Sequence, residues 1–226
     1  MNAKAPAATV PAATAAASAE NARLFAAVVH DLKNRLAILG DELTKLSRLE
    51  LAPEARGHAE AAAEQTALLT RKLVEALTAQ KVALAGGLHA ASQEELPGLF
   101  LEDVAADARP LLAGRIELAI EAGDAPAFWF FDRHLVRLAL DSALYNARRF
   151  AISRIVLGVC LDDGHLCFSV RDDGPGVQHE PGKTSTGLGG LVCDEVARAH
   201  KNRGRTGRAR LRNHPQGGAV FELLLP

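Results

Sequence analysis

The chain has 226 residues, 27 acidic and 26 basic side chains, a formal net charge of −1 and 48% hydrophobic residues. This composition allows one or two domains with apolar cores, and its near-neutrality gives no reason to expect a polyanionic partner. No apolar run reaches the roughly eighteen residues of a membrane span, and the Ala-Pro-rich start lacks the apolar core of a signal peptide. We therefore expect a soluble, cytoplasmic protein with no membrane partner. Three cysteines without CxxC spacing are interpreted as small buried side chains in a reducing cytosol: Cys160, Cys167 and Cys193.

Two long helices are predicted in the first third of the chain. Residues 1–18 are dominated by alanine, proline and threonine and are expected to form a disordered tail. An unbroken heptad pattern then predicts a helix that ends near Ala52-Pro53; its members are Phe25, Val29, Leu32, Leu36, Leu39, Leu43 and Leu46. A second helix is expected over residues 53–84. Together they predict an antiparallel hairpin over residues 19–86 and, because its apolar seam needs a partner, a homodimeric four-helix bundle.

A group of polar side chains lies beside that seam. His30 and Asn34 are four residues apart and therefore point the same way from the helix. Asp31 directly follows the histidine, close enough for its carboxylate to orient the imidazole, raise its basicity and leave one ring nitrogen as a nucleophile. A helical histidine is more often simply a polar residue on the solvated flank. The pattern alone leaves both interpretations open.

The periodicity changes after Gly86-Gly87, where the hairpin is predicted to end. Residues 87–98 are expected to form a linker, and residues 99–226 a separate domain. Predicted strands cover residues 99–101, 115–120, 128–131, 154–161, 166–170, 208–212 and 219–225, and predicted helices cover residues 102–112, 132–150 and 188–200. Asp162-Asp163-Gly164 marks a hairpin turn. This order of elements favours an α/β sandwich with one layer of each.

Three stretches of this domain carry residues suited to binding a nucleotide. Asp172-Asp173-Gly174-Pro175-Gly176 follows a strand; its glycines would let the backbone approach a ligand, and its carboxylate would accept from an amino group. Thr186-Gly187-Leu188-Gly189-Gly190 opens a helix, whose free N–H groups attract anions. Asn146 lies within a helix and offers a carbonyl oxygen to hydrated Mg²⁺. Taken singly, these stretches also fit an ordinary turn, a glycine-rich loop and a surface amide.

Taken together, the motifs resemble those of a known family. His30-Asp31-Leu32-Lys33-Asn34 is similar to the phosphoacceptor box of sensor histidine kinases. The stretches around Asn146, Asp172 and Gly187 resemble the N, G1 and G2 boxes of the ATPase family that joins histidine kinases to gyrase and the mismatch-repair ATPases. The resemblance implies a histidine kinase core, in which an α-helical dimerisation hairpin is followed by an α/β two-layer sandwich that binds ATP and Mg²⁺. The implied ATP-binding residues are Asn146, which also binds Mg²⁺, Arg149, Asp172, Gly174, Gly176, Thr186, Gly187 and Gly189.

The resemblance also implies a role for each residue of the phosphoacceptor box. His30 would accept the phosphoryl group, Asp31 would assist the attack, and Asn34 would place water for dephosphorylation of a response regulator. The implied partners are a second copy of the chain, a response regulator receiver domain and a separate sensor protein. The arginine-rich residues 198–212 are interpreted as a solvated or phosphate-facing surface, so no nucleic-acid partner is expected.

The chain departs from the family pattern at several positions. Arg35 replaces a proline after the acceptor amide, Ser142 replaces the first asparagine of the N box, and only residues 177–184 separate G1 from G2. One alternative is therefore a non-catalytic phosphotransfer or scaffold protein with a degenerate ATP domain, which a measurement of ATP binding distinguishes. A second is a protein serine kinase that uses the ATP domain but not His30. Acid-labile phosphate would exclude that alternative.

Overall fold

Two helices form the first part of the structure. The computed structural model describes residues 12–47, 49, 52–112, 114–177 and 188–226. Helix α1 covers Ala12–Ser47 and α2 covers Pro53–Ala85, as predicted for both except at the start of α1. The prediction of a disordered tail is wrong for residues 12–18, which belong to α1. This stretch is rich in alanine, the residue type with the highest helix propensity. Residues 1–11 lie outside the described residues.

The chain divides into two compact units within α2, one ending at Leu77 and the other starting at Thr78. This boundary precedes the one predicted from the glycines at residues 86 and 87. Those glycines do end the helix: both have positive φ, and the Gly87 N–H donates to the Val82 carbonyl. No helix in the described part of the chain is long and apolar enough to cross a membrane.

One half of the α1 seam is covered within the first unit. Val29 is 3% exposed, and Leu36 and Leu43, which follow it at intervals of seven, are half-buried. On this side α1 contacts α2, since a β-carbon on Gly40 would lie 3.8 Å from Cγ2 of Thr66, which is buried. Part of the predicted seam is therefore the contact between the two helices.

The other half of the seam is exposed. Leu32, Leu39 and Leu46 also recur every seven residues, and they are 44%, 49% and 42% exposed. Val28 and Ile38 extend this apolar surface. The side chain of Phe25 lies outside the described part of the structure.

A short strand of the second unit lies where a linker was predicted. Strand β1, Gln93–Glu95, pairs antiparallel with β3, Trp129–Phe131. The Ala91 N–H also donates to Oδ2 of Asp132, 2.9 Å away. Residues 91–95 are thus fixed to this domain, and the prediction of a linker over residues 87–98 is wrong for them.

Helix α3, Pro97–Leu112, corrects a second prediction. Residues 99–101 lie in its first turns and not in a strand. Phe100, Leu101, Val104 and Ala108 are buried at the spacing of one helical face, and Pro97 stands in the first helical position, which suits its missing N–H and fixed φ. Three consecutive apolar residues did not distinguish a buried strand from a helix.

A five-stranded sheet forms one layer of the domain. The remaining elements of the chain are β2 Glu117–Glu121, α4 Arg133–Phe150, β4 Arg154–Asp162, β5 His165–Asp172, α5 Leu188–Ala199, β6 Lys201–Asn202, β7 Arg205–Thr206, β8 Arg208–Asn213 and β9 Ala219–Leu225. The strand order of the sheet is β2-β4-β5-β9-β8, with β2 and β4 parallel and the other pairs antiparallel. A separate two-stranded hairpin of β6 and β7 was not predicted.

The core lies between this sheet and helices α3, α4 and α5. Phe100, Phe131 and Phe168 are fully buried, and their ring centroids are 5.2 to 5.5 Å apart. Edge-on packing at such distances adds to the free energy of burying the rings. On β5, Leu166, Phe168 and Val170 alternate into this core. The predicted two-layer α/β sandwich is confirmed.

The β4–β5 turn brings together two cysteines, one from each strand of the hairpin. Asp163 and Gly164 have φ of 47° and 69°, which suits a two-residue hairpin turn and confirms the predicted one. Cys160 is therefore directly opposite Cys167. Cys167 is buried as predicted, and burial raises its pKa to about 12, whereas Cys160 is exposed, contrary to prediction. Cys193 is buried on α5.

His200 fixes the start of α4. The backbone N–H of Asp132 donates to its Nε2 at 3.0 Å, so the proton is on Nδ1, which donates to the Val196 carbonyl at 2.8 Å. Asp132 in turn caps α4, because its Oδ1 accepts from His134 N and Leu135 N. His200 is 2% exposed, and burial lowers its pKa below the ordinary value of 6.5.

This burial predicts a pH-dependent stability. Between the lowered pKa and the ordinary value of 6.5 the unfolded chain binds more protons than the folded one, so the free energy of unfolding falls as pH decreases through that window. His200→Gln should weaken this pH dependence, because glutamine does not titrate, and should cost about 1–3 kcal/mol, since the imidazole geometry that serves Asp132 N–H and the Val196 carbonyl together is lost. Urea unfolding across pH measures both effects. His134→Gln, at an exposed position on α4, is the control, and equal pH profiles for His200→Gln and wild type would contradict the prediction.

Candidate functional site

A cavity of about 710 Å³ opens between α4, α5 and the sheet. Its walls include residues from all three nucleotide-binding stretches that the sequence predicts. Asn146 comes from α4, Asp172, Gly176 and Val177 from the end of β5 and the loop after it, and Gly189 from the first turn of α5. The fold therefore brings the predicted N, G1 and G2 stretches to one place.

Asp172 is the buried carboxylate of this cavity, at 8% exposure. Its Oδ1 accepts hydrogen bonds from Gly174 N at 2.9 Å and from Ala219 N at 3.3 Å. Within the described part of the chain, no donor contacts Oδ2. Oδ2 is not among the buried side-chain atoms that lack a partner, so it keeps some exposure and is available to accept a hydrogen bond from a ligand.

Glycines around Asp172 let backbone segments approach one another more closely than any side chain would allow. A β-carbon on Gly174 would overlap the carbonyl oxygen of Phe150, and one on Gly218 would overlap that of Asp172. Gly218 also has a φ of 83°, which few residues other than glycine adopt. Gly174 belongs to a stretch that was predicted to bind a nucleotide. Gly218 was not predicted to belong to the site, because the contact between Gly218 and Asp172 joins residues far apart in the chain.

Asp173 is a residue of the site region whose role the sequence did not predict. Its carboxylate accepts from Ile152 N at 2.8 Å, from Ser153 N at 3.0 Å and from Ser153 Oγ at 2.6 Å. Desolvation alone would raise the pKa of Asp173, but the hydrogen bonds from Ser153, Arg154 and Ile152 outweigh it and lower the pKa well below its usual range. Asp173 therefore ties the loop after β5 to the segment after α4.

Helix α4 presents Asn146 to the cavity, together with the buried Ser142 one turn earlier. Arg149 is not among the residues that line it. Its guanidinium lies 5.3 Å from the ring centroid of Phe150, which does line the cavity. The structure thus brings Asn146 to the site but does not place Arg149 at its wall.

The glycine-rich stretch before α5 is described only in part. Gly189 and Gly190 line the cavity in the first turn of the helix. The N-terminus of a helix carries unpaired N–H groups and a partial positive charge, both favourable to phosphate. Thr186 and Gly187 lie outside the described residues.

The residues of the predicted phosphoacceptor box lie on α1. The backbone of His30 is helical, and its side chain lies outside the described part of the structure. Asn34 is exposed one turn later. Oδ2 of Asp31 accepts from Nε of Arg35 at 2.8 Å, and both side chains are largely exposed. This ion pair was missed, although spacing of four residues on a helix is its ordinary sequence signal.

Comparisons with known proteins agree with the fold and the cavity. A family model described as histidine kinase-, DNA gyrase B- and HSP90-like ATPase matches residues 131–226. The cytoplasmic segment of histidine kinase QseC aligns with a TM-score of 0.54 and 19% identity, covering 69% of this chain and 94% of that one. Histidine kinase AdeS of Acinetobacter baumannii aligns with a TM-score of 0.57 and 17% identity, covering 87% and 96%.

A third solved structure is full-length ShkA in complex with AMPPNP. It aligns with a TM-score of 0.61 and 22% identity, covering 90% of this chain and 45% of that one. No curated protein matches the sequence. At sequence identities this low, the likeness to these three structures shows a shared fold alone. The second unit thus has a histidine kinase-type ATPase domain, and the chain resembles a sensor histidine kinase core, as the motifs predict.

Proposed function

We propose that the protein is a dimeric histidine kinase that transfers the γ-phosphoryl group of ATP to His30 and then to an aspartate of a response regulator. The observation that carries this proposal is Asp172, a buried carboxylate with one oxygen available in a glycine-lined cavity of an ATPase domain. A pocket without a hydrogen-bond acceptor would not select an amino-bearing base. The exocyclic amino group of adenine is the donor that Oδ2 would accept.

The cavity walls suit the remaining parts of ATP. The phosphates would approach the first turn of α5, where Gly189 and Gly190 keep the helix N-terminus open. No group of three or more acidic, histidine or cysteine side chains in the described residues is arranged to hold a metal. Mg²⁺ usually takes few protein ligands and several phosphate and water oxygens, so Asn146 fits that role. Bound there, it would neutralise charge on the transferred group.

The transfer itself requires a nucleophile from α1. An imidazole nitrogen of His30 would attack the γ-phosphorus, the bond to the bridging oxygen would break, and ADP would leave. Asp31 would hold the other ring nitrogen, but its carboxylate is paired with Arg35 in this structure. Solvent screens an exposed pair of this kind, so Asp31 can readily exchange Arg35 for another partner. Arg35 therefore does not prevent Asp31 from assisting.

The exposed half of the α1 seam supports the proposed homodimer. Leu32, Leu39 and Leu46 form a stripe of heptad spacing whose contact with α2 is incomplete. Covering a Leu-sized side chain fully contributes roughly 1.5–3 kcal/mol, so three half-exposed leucines from each copy would contribute several kcal/mol. A second hairpin offers the same stripe with two-fold symmetry.

The dimer is open to a direct test. We expect the wild-type chain to be a dimer at micromolar concentration, and the double variant Leu32→Lys/Leu39→Lys to be a monomer, because two charges per copy would be buried at the interface. Light scattering after size exclusion gives the mass. Leu161→Lys is the matched control, since this leucine is 47% exposed on β4. A wild-type monomer, or a double variant that remains dimeric, would contradict the proposed interface.

The proposed activity is tested by incubating the purified chain with γ-labelled ATP and Mg²⁺. Label on the protein is the expected result. ATP binding without labelling would contradict the proposed kinase activity, and absence of ATP binding would contradict the proposed ATP site and indicate a phosphotransfer or scaffold protein with a degenerate ATP domain.

A further inference from the structure

Asn213, the last residue of β8, makes a paired contact with the loop after β5. Its Oδ1 accepts from Val177 N at 2.5 Å, and its Nδ2 donates to the Val177 carbonyl at 3.2 Å. The side-chain amide thereby imitates one rung of a β-ladder across 36 residues of sequence. Neither the sequence motifs nor the cavity lining includes Asn213.

Gly176 and Asn213 are matched in shape. Gly176 has a φ of 79°, and a β-carbon there would lie 2.6 Å from Oδ1 of Asn213. The carboxamide thus fills the space beside the glycine, and any larger residue at 176 would push it away. Because Gly176 and Val177 both line the cavity, the position of Asn213 determines the position of that wall.

The turn that carries Asn213 is itself firmly held. His214 N donates to the Gly218 carbonyl at 2.9 Å, and Arg171 Nη1 lies 3.2 Å from His214 Nε2. The residue after this turn, Ala219, donates to Asp172 Oδ1. The two residues that flank this turn therefore contact the two sides of the cavity: Asn213 contacts the loop after β5, and Ala219 contacts Asp172.

We propose that Asn213 is a positioning residue for nucleotide binding, which holds the Gly176–Val177 wall of the cavity at a fixed distance from Asp172. This inference rests on the proposed ATP site. Two hydrogen bonds formed before the ligand arrives reduce the ordering that binding must otherwise accomplish. Loss of both should therefore weaken binding without removing any group that touches the nucleotide.

The test combines amide exchange without ligand and calorimetry with AMPPNP and Mg²⁺. In wild type, the Val177 amide should be protected from hydrogen exchange. In Asn213→Ala, that protection should be lost and AMPPNP affinity should fall about tenfold. Asn213→Asp keeps the side-chain volume and the acceptor for Val177 N but places an oxygen beside the Val177 carbonyl, so we expect affinity to fall in this variant too. Asn202→Ala, at an exposed asparagine on β6, should change neither measurement.

The two measurements separate the possible failures. An unprotected Val177 amide in wild type, or equal AMPPNP affinity in wild type, Asn213→Ala and Asn213→Asp, would overturn the positioning role while leaving the ATP site intact. Failure of wild type to bind AMPPNP would overturn the proposed ATP site and the role of Asn213 together. Thermal unfolding of each variant shows whether the domain is folded. If Asn213→Ala is unfolded, the affinity of Asn213→Asp tests the positioning role instead.

Discussion

Asp172→Asn is expected to abolish measurable ATP binding, with a loss of affinity of about a hundredfold or more, while the dimer persists. Asparagine keeps an oxygen that can accept from Gly174 N and Ala219 N, so the local fold should survive. The other position becomes an NH₂ group, which would meet the adenine amino group donor to donor. Binding is commonly much weaker when a polar group of the site is left without a hydrogen-bond partner, as it would be here. Calorimetry with AMPPNP measures the affinity.

Asp163→Asn is the matched control for that experiment. Asp163 lies in the β4–β5 turn with a φ of 47°, a conformation that asparagine also tolerates, and it does not line the cavity. We expect wild-type affinity for this variant. Equal affinity in Asp172→Asn and wild type would show that Asp172 does not read the base.

Asn34→Ala is expected to lose phosphatase activity toward the phosphorylated response regulator and to keep autophosphorylation. Asn34 is exposed on α1 one turn after His30, and alanine can neither donate to nor accept from an attacking water. Removing one positioning hydrogen bond at a transition state costs about 3 kcal/mol, or roughly a hundredfold in rate. Decay of the phosphorylated regulator gives the phosphatase rate, and label incorporation into the chain gives the kinase rate.

Autophosphorylation is the internal control for Asn34→Ala, because the nucleophile and Asp31 are unchanged. A parallel fall of both activities would mean that Asn34 supports the helix or the docking surface, and the assigned role would be wrong. Gln65→Ala provides a second comparison, since it removes an exposed amide from α2.

The elements predicted best from sequence are those with strong local signals. Helix α4 has a capping aspartate at its start, and β4 and β5 are joined by an Asp-Gly turn. The ends of all three elements were therefore predicted to within a few residues. Strand β1 had no such signal: Gln93–Glu95 is polar, and its strand conformation depends on pairing with β3. The apolar residues 99–101 carried an ambiguous signal that the buried face of α3 resolves.

In the candidate site too, the residues that could be predicted are those with a local sequence signal. Asp172, Gly176, Gly189 and Asn146 belong to the motifs found in the sequence and line the cavity, Gly174 donates to Asp172, and their roles in ATP binding stay predictions. The residues that hold those motifs in place were not found, because their contacts join distant parts of the chain. Asp173 binds the segment after α4, and Asn213 binds the loop after β5. Such partners follow only from the tertiary structure.

The most direct test of the proposed kinase is the chemistry of the label that γ-labelled ATP leaves on the chain. A phosphohistidine is labile in acid and stable in alkali, whereas a phosphoserine is stable in acid. We predict acid-labile, alkali-stable label on wild type and none on His30→Gln, with AMPPNP affinity unchanged in that variant because the described residues that line the proposed ATP cavity all belong to the second unit. Acid-stable label, or equal labelling of His30→Gln, would contradict a histidine kinase that acts through His30.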